Sequence, residues 1–466
     1  MASVHVRVEQ SRFTVDKALL TQNCEYFRAL FESGMRECQQ EEIYLGGLST
    51  TGFKITLEVL AGGRPILDCD EIVEAIECAA FLQVEKLAKH LVDIINSSNC
   101  LVMYHAAATY GLLGLYHSSA LFIRDMYSEF QDDLGCLPQE LVDYIKSLIP
   151  SRFVGVASHS PSLELLQDPS RTICYLDEEE RRWKKLTHLP VEASTSMSGV
   201  AVLDNKLYIV GGVRGVNKEV VELCFCYDAE NDSWNRLPSP QQLRYSLTLI
   251  GHEDHLYAIG GEHERTIMSS VEKYQVSAGT WSFTSQLPRP AAGAACAKAM
   301  SRIFVCLWKP MDTTDIYEYD PSSEQWILIT TLILQQSYGH CMVAHRDNLY
   351  VMRNGPSDDF LRCMIDRFNI TTGQWTALAG QYVNSKGALF TAAVRGDSVF
   401  TVNRMLTLVY SIEQTKWKPK KEMQGFPRSG SMQTFLLRLP RSSQKLTSIL
   451  GDSDQDLDLN KSSAEP

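Results

Sequence analysis

Valine alternates with polar residues from Val4 to Val8, and this period of two predicts an opening strand with Val4, Val6 and Val8 on one face. The period then lengthens. Thr14 stands at a predicted N-cap before a short helix through Leu20, and Tyr26, Phe27, Leu30 and Phe31 fall at helical spacing. After the apolar run Ile43-Tyr44-Leu45, Ser49 is placed to cap a helix carrying Phe53, Leu57 and Leu60, which Gly62-Gly63 ends. Helices are predicted over 70–82 and 84–95, the latter with Val84, Leu87, Leu91 and Ile94 as one apolar stripe. Residues 1–95 therefore read as a small α/β unit.

Apolar residues stay at helical spacing from Leu101 to Ile123, and Pro138 opens a further helix through Leu148, so residues 96–150 read as all-α. The Ser- and Pro-rich stretch 151–170 is expected to be a linker.

Beyond it the pattern repeats. Six of the seven tryptophans, at 183, 234, 281, 326, 375 and 417, are 51, 47, 45, 49 and 42 residues apart. A period of ~40–50 residues indicates propeller blades. Each internal Trp follows a strand ending in an aromatic, as in Phe225-Cys226-Tyr227 and Val271-Glu272-Lys273-Tyr274. Runs such as Lys206–Val210 and His255–Ile259 are apolar on both faces, as strands sandwiched between blades must be. Thr172–Tyr175 with Trp183 is expected to supply the outer half of a blade, and Ser431–Arg438 its inner strand. Five internal blades and one composite blade then close a six-bladed all-β ring over 171–440. The Ser- and Asp-rich stretch 441–466 is expected to be disordered.

Charge and composition narrow the function. The chain has 466 residues, 44 Lys plus Arg against 56 Asp plus Glu, and a net charge of −12, which disfavours nucleic acid and anionic membranes as partners. No apolar run reaches the ~18 residues of a membrane span, and the first residues lack the apolar core of a signal peptide. Thirteen cysteines without a C-x-x-C read as reduced thiols, so the expected location is cytoplasmic. H-E-x-x-H, G-x-S-x-G, G-x-G-x-x-G and the phosphate-binding loop are all absent, so neither enzymatic chemistry nor a cofactor is expected.

Three stretches, Phe13–Leu20, Tyr26–Phe31 and Ala79–Gln83, are similar to the signature of the BTB (POZ) domain. The helices after it resemble a shortened BACK region, and the Gly-Gly pairs 211–212 and 260–261 with the later tryptophans resemble kelch repeats. The resemblance is to BTB-BACK-kelch adaptors. It implies docking to cullin-3 of a RING ubiquitin ligase through the BTB domain, and capture of a target protein by the propeller. Within Met35-Arg36-Glu37, it assigns the cullin contact to Met35 and Glu37, an apolar anchor and a charged partner.

Two departures bear on assembly: Asp16 stands where the family has His, and the family's N-terminal exchange segment would precede Val4. A domain-swapped homodimer is therefore not expected, and the oligomeric state stays open. In blades 3 to 5 the double glycine is replaced by Leu307-Trp308, Arg353-Asn354 and Asn403-Arg404. By the resemblance, the loops after this point and those entering each blade share one face. They carry Arg214, Arg244, Tyr245, Arg265, Tyr338, Arg353, Lys386, Arg404 and Arg428, a candidate surface for an acidic peptide. A non-catalytic scaffold on filaments of the actin type is the alternative to the ligase adaptor.

Overall fold

The computed structural model describes residues 3–34, 40–158, 172–193, 195–215, 217–309, 313–333, 340–354, 362–378, 382–383, 391–402, 407–420 and 431–440. Strand β1 (Ser3–Val8) pairs antiparallel with β2 (Ser11–Asp16) and parallel with β3 (Glu42–Leu45). Val4, Val6 and Val8 are buried, as the alternation predicts. The expected cap is corrected by two residues. Thr14 lies in β2 opposite His5, and Asp16 caps α1 (Lys17–Asn23), its carboxylate accepting from the Ala18 amide at 3.0 Å. Asp is as good a cap as Thr, so the hairpin β1–β2 decides the register.

Helix α2 (Glu25–Glu32) follows. Ser49 caps α3 (Thr50–Leu60), accepting from the Gly52 amide at 2.9 Å. Asp68 and Glu71 form a capping box on α4 (Cys69–Leu82), and α5 (Glu85–Asp93) runs behind it. This unit's core of Phe27, Phe53, Leu82, Leu87 and Leu91 also takes in Met103 and Ala107 of α6 (Cys100–Tyr110) and Leu115 of α7 (Leu113–Asp125). The helices after residue 95 thus continue the first core. A second core, around Tyr104, Ile123, Phe130, Val142 and Ile145, joins α6 and α7 to α8 (Tyr127–Phe130) and α9 (Gln139–Ser147).

The rest is a six-bladed propeller, each blade an antiparallel sheet with strands a to d from the channel outward. Blade 1 is Gly199–Leu203, Lys206–Val210, Cys224–Asp228 and Ser233–Arg236. Blade 2 is Thr248–His252, His255–Ile259, Val271–Gln275 and Thr280–Thr284. Blade 3 is Cys296–Ala299, Arg302–Lys309, Thr313–Asp320 and Gln325–Ile333. Blade 4 is His340–His345, Asn348–Asn354, Arg362–Asn369 and Trp375–Ala377, with Tyr382–Val383 also paired to strand c. Blade 5 is Thr391–Arg395, Ser398–Val402, Thr407–Ser411 and Lys416–Lys420. Blade 6 joins Ser431–Arg438 as strand a to Ser151–Ser158, Thr172–Asp177 and Arg182–Thr187. Consecutive inner strands pack around the ring, with blade 6 against blade 1.

The composite blade corrects two expectations. Residues 151–158 are its second strand, with Val154 and Val156 buried, and the N-terminal side therefore supplies three of its four strands. The rest of the expected linker, 159–170, and the expected tail, 441–466, lie outside the described residues.

Each internal Trp packs against the aromatic of its own strand c, tilted or edge-on, with ring centroids 4.7–5.2 Å apart from Tyr227–Trp234 to Tyr410–Trp417. Three also tie their blade to the one before: Trp281 donates to the Pro238 carbonyl, Trp326 to the Ser285 carbonyl and Trp375 to the Thr330 hydroxyl. The tryptophan period is therefore a packing period.

Candidate functional site

An antiparallel blade puts its a–b and c–d hairpins on one face of the ring, and its b–c and d–a connections on the other. The helical unit sits on the hairpin face. Lys89 of α5 pairs with Glu253 in the a–b hairpin of blade 2 at 2.9 Å. Asp125, at the end of α7, takes two bonds from Arg438 of blade 6 at 2.8 Å and one from the Ser151 amide at 2.7 Å.

The densest contact is at Asp397, in the a–b hairpin of blade 5. It accepts from the amide of Ser97, from His345 at 2.6 Å and from Arg346 at 3.3 Å, and it shares the one Ser97 hydroxyl proton with Glu413, 2.7 Å from that oxygen. Burial pushes the Asp397 carboxyl up, but the bonds from His345 and Ser97 and the charge of Arg346 outweigh it and hold the pKa well below the ordinary range. Beside it Gly396 has φ +56°, and an added Cβ would overlap the Met126 side chain. Only glycine meets both demands without strain. Reading along the chain missed this contact, because Ser97, His345 and Asp397 are far apart in sequence and each is ordinary alone.

A cavity of about 410 Å³ lies in the same interface, bordered by Lys89 and Asp93 of α5, by Leu112 and Leu115, and by His252 and Lys298 of the propeller. Burial pushes the Asp93 carboxyl up to about 6 although Lys298, Arg64 and Lys89 draw it down, and burial with Lys298 pushes His252 down to about 4.

The loop face is free of the helical unit's described contacts. Gly211 and Gly260 take φ +62° and +58° there because the next blade's entering loop crosses them closely: a Cβ would strike the carbonyl oxygens of Arg244 and Ala291. Of the nine residues expected on this face, Arg214 and Arg265 are exposed. Tyr245 donates to Glu262 at 3.1 Å. Arg244 is a correction. Its side chain is 0% exposed, pairs with the equally buried Glu272 at 2.6 Å and donates to the carbonyls of Gly260 and Ser270. It bolts loop to blade and has no surface to offer a peptide.

Arg353 is a second correction. From the position where blades 1 and 2 have glycine, it turns back to Asp366 at 2.8 Å and is 12% exposed. Arg289 makes a similar bolt in blade 3, to the Leu307 carbonyl at 2.7 Å and to Asp315 at 2.8 Å. Between Arg214 and Arg265 stand the exposed Glu264 and part-exposed Glu262, so this arc of the face is mixed in charge. Tyr338, Lys386, Arg404 and Arg428 lie outside the described residues.

Sequence reading passed over Met197. It is 41% exposed at φ +58°, and its carbonyl accepts from the Ser246 amide at 2.6 Å, while the Ser246 carbonyl accepts from Gly293 at 2.7 Å. These bonds link the loops entering blades 1, 2 and 3. Ser246 and Gly293 take the same left-handed backbone, at φ +51° and +60°, so this turn repeats at the entrance to these three blades.

Met35 and Glu37, which follow α2 and Gly34 in the sequence, lie outside the described residues. Phe81 of α4 is 47% exposed and packs on Tyr26 of α2 at 5.2 Å. A groove of about 420 Å³ runs between α4 and α6, lined by Val73, Leu101, Val102, Ala106, Tyr110 and Leu137 with His105 and Thr109.

A three-stranded α/β unit carried on helices, set on the hairpin face of a six-bladed ring, defines the class, and comparison with known proteins agrees. The BTB/POZ domain matches residues 1–99, and the KLHDC2/KLHL20/DRC7 kelch-repeats domain matches residues 165–355. The chain belongs to the BTB–kelch family. It is 56% identical over 438 residues to kelch repeat and BTB domain-containing protein 13 of Homo sapiens, covering 94% of this chain and 95% of that protein. Identity to the Mus musculus protein of the same name is 55% over the same shares, and to Kelch-like protein 42 of Mus musculus 29%, over 88% of this chain and 91% of the relative.

Proposed function

We propose that this chain is the substrate-recognition adaptor of a cullin-3 RING ubiquitin ligase, with Met35, Glu37 and the BTB end docking cullin-3 and the loop face of the propeller holding a target protein. The observation that carries the reading is the arrangement of the two ends: the helical unit is tied to the hairpin face at blades 2, 5 and 6, and the loop face points away from it. A tied mount fixes the distance between a docked ligase and a held target, and proximity is what such an adaptor contributes to the reaction. The catalytic steps belong to its partners. The groove between α4 and α6 and the exposed Phe81 offer apolar surface for cullin, with α6 to α9 in the role of a shortened BACK region. The chain would act in the cytoplasm; among the described residues no helix is long and apolar enough to cross a membrane.

Binding of purified cullin-3 N-terminal domain to the full chain tests this directly. Binding that is lost in M35A/E37K supports it. No binding by folded wild type rejects it and favours the filament scaffold, which co-sedimentation with actin would then measure.

A further inference from the structure

The outer strand of a propeller blade has a free backbone edge, and natural sheets guard such edges with charge, proline or shortness. Four blades here follow that rule. Strand d of blade 5 carries Lys416, Lys418, Pro419 and Lys420, and that of blade 6 carries Arg182, Lys184 and Lys185. In blade 1 it is four residues long and ends in Arg236, and in blade 4 it is three, with Tyr382–Val383 pairing further along the same edge of strand c. In blade 2 it has five residues and no charge.

Blade 3 departs from the rule altogether. Its strand d, Gln325–Ile333, runs nine residues without a charge or a proline. Among the described residues it pairs only with strand c. Ile327 and Leu328 point to opposite faces of the strand, and they are 51% and 49% exposed.

We propose that the outer edge of blade 3 is a docking site for an extended, uncharged segment of a partner protein, which adds to the blade as a fifth strand. The edge supplies a row of main-chain donors and acceptors, and the two apolar side chains flank it for cross-strand packing. An uncharged partner follows from the strand itself, which offers no opposite charge to pair.

The lower end of the edge continues an interface already formed. Ile327 lies directly opposite Glu318, and Glu318 faces Arg64 of the BTB domain at 3.8 Å. Ile66, two residues on, is 84% exposed. A segment laid along blade 3 therefore runs toward a second apolar contact on the BTB domain. A second copy of this chain fits less well, because one nine-residue edge meeting its twin falls far short of the ~1,200–2,000 Å² of a stable interface. This inference is independent of cullin binding.

The test uses the full chain and a fluorescent peptide of alternating Thr and Val about eight residues long, alongside the same peptide N-methylated at every second amide. Expected are saturable binding of the first, binding about tenfold or more weaker for the second, and slowed amide exchange over residues 325–333. I327K/L328K changes only exposed side chains and should abolish binding, whereas F283K on blade 2 should not. No binding by wild type, equal binding of the methylated peptide, or indifference to I327K/L328K overturns the proposal. So does a wild-type dimer that I327K/L328K dissociates, since the edge would then belong to a second copy.

Discussion

The two faces of the propeller are built by opposite means. On the hairpin face, polar groups are spent across a boundary: Asp397, Glu253 and Arg438 of the propeller bind Ser97, Lys89 and Asp125 of the helical unit. On the loop face the strong pairs are spent inward, Arg244 on Glu272 and Arg353 on Asp366, leaving Met197, Arg214 and Arg265 at the surface. On the proposed function, this is the difference between a mount and a reader. A mount uses charge to fix one geometry; a reader fixes its own loops and keeps other side chains exposed.

The strongest way to break this division is Glu272→Ala, which strands the Arg244 guanidinium in the interior. It is expected to cost about 3–5 kcal/mol in urea unfolding and to loosen the loops entering blade 2. An effect below about 1 kcal/mol would put Arg244 at the surface after all.

Gly396→Val is expected to cost about 2–3 kcal/mol, through a β-branched residue at φ +56° and its collision with Met126. Met126→Ala in the same chain should recover part of the loss, since it removes the collision and leaves the backbone strain.

Asp397→Asn is expected to cost about 1–3 kcal/mol at pH 7. A depressed carboxyl contributes stability that is present above the unfolded pKa near 4 and is lost as pH falls through the lower folded value. The gap between wild type and variant should therefore shrink on acidification below about pH 4.

Asp93→Asn acts in the other direction. Its pKa is raised to about 6, so the folded state loses stability as pH rises from about 4 to 6, and removing the charge should gain about 1 kcal/mol at pH 7 and little at pH 4. His252, pushed down to about 4, works against it in wild type: its contribution is lost as pH falls from 6.5 toward 4. Thermal melts across this range should show the variant with the steeper loss toward acid.

The smallest stability effect belongs to the reader. Met197→Ala with Arg265→Glu should change unfolding by less than about 0.5 kcal/mol, and its effect should fall on target capture alone.

The fold was largely legible along the chain because its signals are local or periodic. The alternating valines of β1, the Ser49 cap and the Trp spacing each work through neighbours in sequence or through a repeat. The second strand of blade 6 was missed because Phe153, Val154 and Val156 sit in a stretch that reads as Ser- and Pro-rich, and their strand partner begins 273 residues after residue 158, at Ser431. The candidate surface was harder for a related reason. Side-chain type marked Arg244 and Arg353 as cations but not where their charge goes, and the carboxylates that take it, Glu272 and Asp366, stand on strands that read as plain repeat. Met197 carries no signal beyond its place before strand a of blade 1.

A distance distribution between spin labels at Asp70 of α4 and Glu264 of the loop face measures whether the mount holds. One narrow distance, unchanged on adding cullin-3 N-terminal domain and broadened in Asp397→Ala/Arg438→Ala, is the predicted result. A broad distribution in wild type would contradict it, because the propeller would then swing freely on the helical unit and no fixed span between ligase and target would exist.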